Sequence, residues 1–134
     1  MILLTYTHNN KTAAGFLNEE KTAIIPASKV FQSAGDLDMI GVIEKFDTLE
    51  LNEIKGMINT CKETIKLSEV KVLSPIPYPK RNVFALGKNY FEHVKEVDSL
   101  KTAVAGVPQK PIYFSKLACP AIGHGEYVDS HSNV

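Results

Sequence analysis

The N-terminal part of the chain carries the alternating apolar and polar pattern of short β-strands. Residues 2–8 are rich in branched and aromatic side chains, and residues 8–11 (HNNK) are turn-forming types. Two further strands are predicted at residues 12–17 and 21–25, and Pro26 ends the pattern. The pattern therefore predicts a small antiparallel meander.

From residue 36 the apolar residues recur at the period of a helix. They predict one buried stripe, whose members are Leu37, Ile40, Ile43 and Phe46. A second helix is predicted to begin at Asp47 or Thr48, with Glu50 placed as in a capping box. Its apolar face consists of Leu51, Ile54, Met57, Ile58 and Cys61. We expect the two helices to cover one face of the meander.

A proline-rich segment follows a short strand predicted at residues 70–73. Residues 74–79 (SPIPYP) include three prolines, which donate no backbone hydrogen bond and favour extended backbone in the residues before them. We place a domain boundary here. It divides the chain into a domain of residues 1–74 and a second region of residues 75–134.

The second region opens with the segment RNVFALGKNYFEHVKE, residues 81–96. Its apolar run at residues 83–86 predicts a buried strand. Gly87 ends that run, because glycine can adopt backbone angles closed to other residues. Asn89, with Glu92 three residues later, predicts the start of a short helix.

His93 and Glu96 lie three residues apart on this predicted helix and therefore share a face. An imidazole beside a carboxylate, just after a strand, is suited to general-base catalysis, with the carboxylate orienting the ring. By spacing alone, such a pair is more often a solvated surface pair. Spacing therefore leaves both interpretations open.

The rest of the chain predicts a loop and two short strands. Residues 98–110 are rich in small residues and predict a surface loop, and residues 111–116 and 127–128 predict strands around a turn at residues 123–125.

Composition indicates a globular protein with no strong charge preference. Of the 134 residues, 44% are apolar, and 15 basic side chains balance 15 acidic ones, so net charge favours neither nucleic acid nor an anionic membrane as partner. We expect no membrane segment and no signal peptide. Cys61 and Cys119 form no CxxC motif and are interpreted as reduced thiols of a cytoplasmic protein.

A series of short patterns runs through the second half of the chain, from about residue 70 to residue 128. They lie in the segments VKVLSPIPYPKRNVFALGKNYFEHVKE and PQKPIYFSKLACPAIGHGEYV. They comprise a proline-bracketed entry, a strand ending in Gly-x-Asn-Tyr, then Asn-Tyr-x-x-His-x-x-Glu, Pro-x-x-Phe-x-Lys and Ile-Gly-x-Gly-Glu. In this order they resemble the fumarylacetoacetate hydrolase (FAH) family.

The resemblance implies an α+β fold and a class of chemistry. Taken with the patterns above, it predicts a small N-terminal α/β unit of short antiparallel strands plus two helices, followed by the first strands of a mixed β-roll. Members of this family commonly form homodimers and use Mg²⁺ or Mn²⁺. They act on 2-oxo and 1,3-dicarbonyl acids by C–C hydrolysis, decarboxylation or keto–enol isomerisation.

The resemblance also assigns roles to individual residues. His93 matches the catalytic histidine of the family and Glu96 matches its acidic partner. Asn89 and Tyr90 match residues that shape the substrate site, and Lys116 matches a lysine on the neighbouring strand. For Lys116 a solvating role is an equal alternative.

The metal ligands of the family have no counterpart in this chain. They lie in a pattern like Asp-x-Glu-x-Glu, downstream of the Gly-x-Gly-Glu segment. We therefore expect a divalent cation only in a longer protein of which this chain is the front portion, and no cofactor or activity in residues 1–134 alone. A substitute site would consist of His124, Glu126, Asp129 and His131. We favour a polar tail instead.

Two other functions stay open. The chain could be a non-enzymatic interaction module that pairs its strand edges with a partner. It could also be an inert fragment whose histidine and glutamate do no chemistry. An Asp-x-Glu-x-Glu pattern in a longer gene product would favour the enzyme.

Overall fold

The computed structural model describes residues 1–99, 110–118, 121–128 and 130, with only the backbone described at 97–99. By its internal contacts the chain divides into two compact units. The first comprises residues 1–77 together with the segment from residue 120, and the second comprises residues 78–119. The predicted domains of residues 1–74 and 75–134 stay a prediction. None of the helices in the described ranges is long and apolar enough to span a bilayer.

The first unit is built on an antiparallel sheet of five strands. In spatial order these are β4 (Ile65–Lys66), β3 (Ala23–Pro26), β2 (Lys11–Leu17), β1 (Ile2–His8) and β5 (Lys71–Val72). Left-handed backbone at Asn9 and Asn10 closes the β1–β2 hairpin, and asparagine tolerates that conformation better than most residues. The predicted meander is thus confirmed. The third strand begins two residues later than predicted, because Lys21 has a φ of 57° and belongs to the turn.

Both faces of this sheet carry buried apolar side chains. Successive side chains of a strand point to opposite sides, so one strand contributes to both clusters. On one face Phe16 and Ile25 pack against Val42 and Ile54 of two helices. On the other face Tyr6 and Ile24 pack against the chain around β4 and β5. Phe16 is fully buried, and its ring meets that of Phe31 edge-on at 6.0 Å. Burial of such a ring contributes about 1.5–3 kcal/mol to stability.

The helices of the first unit are α1 (Ala27–Val30), α2 (Met39–Phe46) and α3 (Leu51–Thr60). The α2 helix begins after Asp38, whose carboxylate accepts a hydrogen bond from the backbone N–H of Gly41 at 2.8 Å. The predicted stripe of α2 is confirmed at Leu37 and Phe46, which pack against the core, but is wrong in the middle of the helix. Met39 and Val42 are buried, whereas Ile43 is 46% exposed. There the helix buries the positions one residue before the predicted Ile40 and Ile43.

The α3 helix begins later than predicted but packs as expected. Glu50, not Asp47 or Thr48, precedes its first turn, and Glu50 and Glu53 form a reciprocal capping box. Ile54 is fully buried. Three further members of the predicted face pack against the same core, namely Met57, Ile58 and Cys61, while Leu51 is exposed. Cys61 is a free thiol, and Cys119 lies outside the described residues.

The second unit contains a two-stranded antiparallel sheet and one helix. Strand β6 (Val83–Gly87) pairs with β7 (Ile112–Lys116), and α4 spans Phe91–Ser99. The prediction that β6 is buried is wrong, since Phe84 is 79% exposed. A strand with a single neighbour leaves most of its side-chain surface uncovered. The other exposed apolar residues of the hairpin are Val83, Leu86, Ile112, Tyr113 and Phe114.

Several boundaries in this half of the chain differ from prediction. Lys88, not Gly87, has left-handed backbone, with a φ of 48°. Residues 127–128 are not a strand, because they have no paired neighbour among the described residues. The turn predicted at residues 123–125 is confirmed at its last two positions. Of the predicted loop at residues 98–110, the first two residues continue α4, and 100–109 lie outside the described residues.

Candidate functional site

The α4 helix places His93 and Glu96 side by side. The first helical hydrogen bond runs from the N–H of Val94 to the carbonyl of Tyr90 at 2.9 Å, so the helix starts one residue later than the Asn89 cap predicted. Nδ1 of His93 lies 3.8 Å from Oε2 of Glu96. This separation is within ion-pair range but too long for a hydrogen bond. The shared face predicted from the spacing is confirmed.

Both side chains of this pair are open to solvent. His93 is 51% exposed and Glu96 is 77% exposed, whereas Val94 between them is buried and anchors the helix. An exposed ion pair contributes little to stability, typically about 0–1 kcal/mol. The fold therefore gains little stability from this pair. The imidazole of His93 is accessible to a small molecule.

The other predicted site residues lie at different places in the second unit. Asn89 and Tyr90 lie in the short connection between β6 and α4, and both are exposed. Lys116 pairs with Val83, at the end of the hairpin away from Gly87 and α4. Four residue steps separate the two ends of the ladder, or roughly 13 Å at the usual strand rise. The ammonium of Lys116 lies 5.6 Å from the centre of the Phe114 ring.

A cavity of about 660 Å³ lies in the first unit, and none of the predicted site residues lines it. Its lining includes apolar residues of β2, β3 and α3, among them Phe16, Ile25 and Ile58. Charged residues of the β2–β3 turn and of α3 also line it, including Glu19, Lys21 and Lys55. The sequence patterns did not indicate this cavity.

Of the four polar residues that would make up a substitute metal site, the structure describes His124 and Glu126. Within the described ranges, no three His, Cys, Asp or Glu side chains come together so that they could hold a metal ion. The carboxylate of Glu126 instead accepts hydrogen bonds from the N–H of Gly123 and from the ammonium of Lys71, each at 2.6 Å. Asp129 and His131 lie outside the described residues.

These contacts also set the ionisation of Glu126. The hydrogen bond from Gly123 lowers the pKa of the Glu126 carboxyl below its ordinary value, and the bond and charge of Lys71 lower it further. No sequence pattern indicated Lys71, which lies 55 residues before Glu126. The Gly-x-Gly-Glu pattern and the candidate metal ligands around Glu126 pointed to this region, but not to its contact with Lys71.

Comparison with known proteins connects half of the chain with an enzyme. Over 68 residues the chain is 43% identical to oxaloacetate tautomerase YisK of Bacillus subtilis, an alignment that covers 51% of this chain and 21% of the relative. Over its whole length the chain is 26% identical to two uncharacterized proteins of Staphylococcus epidermidis, from two strains, and covers 46% of each. No protein-family model matches the chain.

The chain thus spans less than half the length of each of these curated relatives. The stronger of the matches is to a protein named for the tautomerisation of a 2-oxo acid.

Proposed function

We propose that this chain is the front portion of an FAH-family enzyme that interconverts the keto and enol forms of a short 2-oxo acid. The observation that carries the proposal is the 3.8 Å approach of Glu96 to His93 on an accessible face of α4. The sequence patterns of the family and the match to an oxaloacetate tautomerase support it independently of this geometry. Of the three family reactions, that match favours isomerisation.

Keto–enol isomerisation needs a group that moves one proton between carbon and oxygen. A base removes a proton from the carbon next to the 2-oxo group, and the C–H electron pair becomes the C=C bond of the enol. The carbonyl π pair moves to oxygen, which then takes up a proton. An imidazole is suited to both transfers, because it can accept and return a proton near neutral pH.

Glu96 would act on the tautomer and orientation of the ring. A carboxylate near Nδ1 favours the tautomer that carries its proton on Nδ1, which leaves the lone pair of Nε2 to act as the base. The 3.8 Å separation in the structure is longer than a working hydrogen bond, and such contacts commonly shorten when a substrate binds. In this proposal Asn89, Tyr90 and Lys116 contact the substrate.

The metal that the resemblance implies has no fitting site among the described residues. Glu126 is occupied by Lys71 and by the backbone of Gly123, and no carboxylate cluster lies nearby in the described part of the chain. We therefore propose that Mg²⁺ or Mn²⁺ would be bound by residues of a longer polypeptide. The proton transfer attributed to His93 does not depend on that assignment.

The exposed hairpin supports the proposal that the working protein is larger than this chain. By the register of β6 and β7, Phe84, Leu86 and Tyr113 share one face of the ladder, while Val83 and Phe114 share the other. Apolar residues are exposed on both faces. A two-stranded sheet is rarely stable alone in water. We propose that further strands of the longer polypeptide cover it, within a homodimer.

The experiment is a tautomerase assay on the longer protein that contains this chain. The loss of oxaloacetate enol is followed by ultraviolet absorbance, and the spontaneous rate is subtracted. We expect His93→Ala to lower kcat by at least about 10²-fold, since removal of a general base typically costs that much. Glu96→Gln is expected to lower kcat less, because it alters orientation only.

Glu92→Gln on the same helix is the matched control and is expected to leave kcat unchanged. Near-normal turnover by a folded His93→Ala protein would show that the pair is a surface ion pair. Activity against acylpyruvates with no oxaloacetate turnover would instead support a hydrolase or decarboxylase, at the same residues.

A further inference from the structure

The chain leaves the first unit after Pro77 and rejoins it at residue 120. Two hydrogen bonds connect the returning segment to residues close to Pro77 in sequence. The hydroxyl of Ser74, a buried residue, donates a hydrogen bond to the carbonyl of Ala121 at 3.2 Å. The N–H of Ala121 donates to the carbonyl of Pro77 at 3.4 Å. Both contacts lie within the first unit. They connect residues that precede residue 78 to a residue that follows residue 119, so they flank the segment that forms the second unit.

The turn that follows is fixed by one carboxylate. Oε2 of Glu126 accepts from the N–H of Gly123 and Oε1 accepts from the ammonium of Lys71 on β5, both at 2.6 Å. The N–H of Glu126 donates back to the carbonyl of Gly123 at 3.3 Å. Each carboxylate oxygen therefore has one donor, one from the turn itself and one from the sheet.

The structure explains why both glycines of the Ile-Gly-x-Gly-Glu pattern are glycine and not a larger residue. A Cβ on Gly123 would lie 3.0 Å from Cα of Leu73 and 3.1 Å from the carbonyl oxygen of Val72, which are backbone atoms with little room to move. Gly125 has a φ of +74°, where other residues are strained. The pattern thus specifies a turn that fits closely against β5.

We propose that residues 121–126, with Lys71 and Ser74, form a clasp that holds the returning chain against β5, and that Glu126 is the positioning residue that locks it. β5 is an outer strand of the sheet and has only two residues. An uncovered outer strand can pair with other chains, and the clasp covers this one.

The structure also indicates which contact of Glu126 matters most. Lys71 is 62% exposed in its side chain, so its ion pair is well solvated and contributes little by itself. The hydrogen bond to Gly123 is charge-assisted and holds a backbone group that lies against β5. We therefore expect the loss of the carboxylate to have a larger effect than the loss of the ammonium.

The test is backbone amide hydrogen exchange by NMR on the whole chain. In Glu126→Ala the amides of Gly123 and Ala121 are expected to exchange roughly threefold to tenfold faster, as the loss of a hydrogen bond of ordinary net strength predicts. The amides of β2, in the middle of the sheet, are expected to keep their wild-type rates. Lys71→Met is expected to give a smaller increase in the exchange rates of these two amides. Lys71→Arg is expected to keep the wild-type rates.

Glu69→Ala is the matched control. Glu69 pairs with Lys66 at 3.8 Å on the same edge of the unit, and its removal is expected to leave the Gly123 and Ala121 rates unchanged. Wild-type exchange rates in a folded Glu126→Ala protein would overturn the proposal. If Glu126→Ala does not fold, Lys71→Met decides: faster exchange confined to the two clasp amides supports the clasp, and unchanged rates overturn it.

Discussion

Replacement of Gly15 by alanine tests the packing of the sheet most directly. Gly15 is buried in β2, and a Cβ there would lie 2.6 Å from Cγ2 of Ile24 and 2.8 Å from the carbonyl oxygen of Ile25. It would also lie 3.2 Å from Cε1 of Tyr6. The nearest atoms include a backbone oxygen and buried side chains on both neighbouring strands, so the methyl group cannot be accommodated by one rotamer change.

Two opposing effects decide the size of the change. Overpacking of a core by one methyl group typically costs about 1–3 kcal/mol. Alanine also restricts the unfolded chain more than glycine does, which stabilises the folded state by about 0.4–1 kcal/mol. We therefore expect Gly15→Ala to lower the free energy of unfolding by about 1–2 kcal/mol.

The assay is urea unfolding followed by far-ultraviolet circular dichroism. With an ordinary urea dependence for a small domain, the midpoint is expected to fall by about 0.5–1 M at unchanged slope. Gly56→Ala is the matched control: Gly56 lies in α3 with no atom within 4 Å of an added Cβ. It is expected to raise the free energy of unfolding by about 0.5–1 kcal/mol. Equal or greater stability of Gly15→Ala would refute the packing argument.

Further predictions concern a buried hydroxyl, an ionised clasp and the chain by itself. Thr5→Val removes a buried hydroxyl that donates to a carbonyl of the proline-rich segment at 2.5 Å, and is expected to cost about 0.5–1.5 kcal/mol in the same urea assay. Because Gly123 and Lys71 lower the pKa of Glu126, its stabilising contribution is full above its ordinary pKa of 4.5 and is lost as pH falls through the lowered value. The amides of Gly123 and Ala121 are therefore expected to lose protection from exchange in acid in the wild-type protein, relative to the same amides in Glu126→Gln. A ratio of the exchange rates of the two proteins that does not change with pH would contradict this. Residues 1–134 alone are expected to show no C–C hydrolysis or decarboxylation with or without Mg²⁺, and metal-dependent turnover in an acylpyruvate assay would contradict that expectation.

The sequence predicted the hairpin and the buried helix face that are specified by residues close together in the chain. The β1–β2 hairpin follows from alternation and an Asn-Asn turn, and Ile54 was correctly placed on the buried face of α3. The phase of α2 could not be predicted, because Ile40 and Ile43 are as apolar as Met39 and Val42, and only the position of the sheet selects the buried pair.

Other features depend on residues distant in sequence. Strand β4 has only two residues, too few to show any period, and it forms because β3 offers hydrogen bonds, whereas β5 lies within the strand predicted at residues 70–73. The shared face of His93 and Glu96 follows from helix geometry and could be predicted. The contact between Lys71 and Glu126 could not, since no local pattern identifies a partner 55 residues away.

The clasp also has a consequence for the order of events during synthesis on the ribosome. Most contacts of the five-stranded sheet join neighbouring hairpins, and local pairings of this kind form early. The contact between Lys71 and Glu126, however, can form only once Glu126 has been made, 55 residues after Lys71. At ordinary translation speeds this delay is roughly 3–11 s. For that interval the nascent protein lacks the proposed clasp, and an outer strand without its cover is one that a chaperone or a neighbouring nascent chain can pair with.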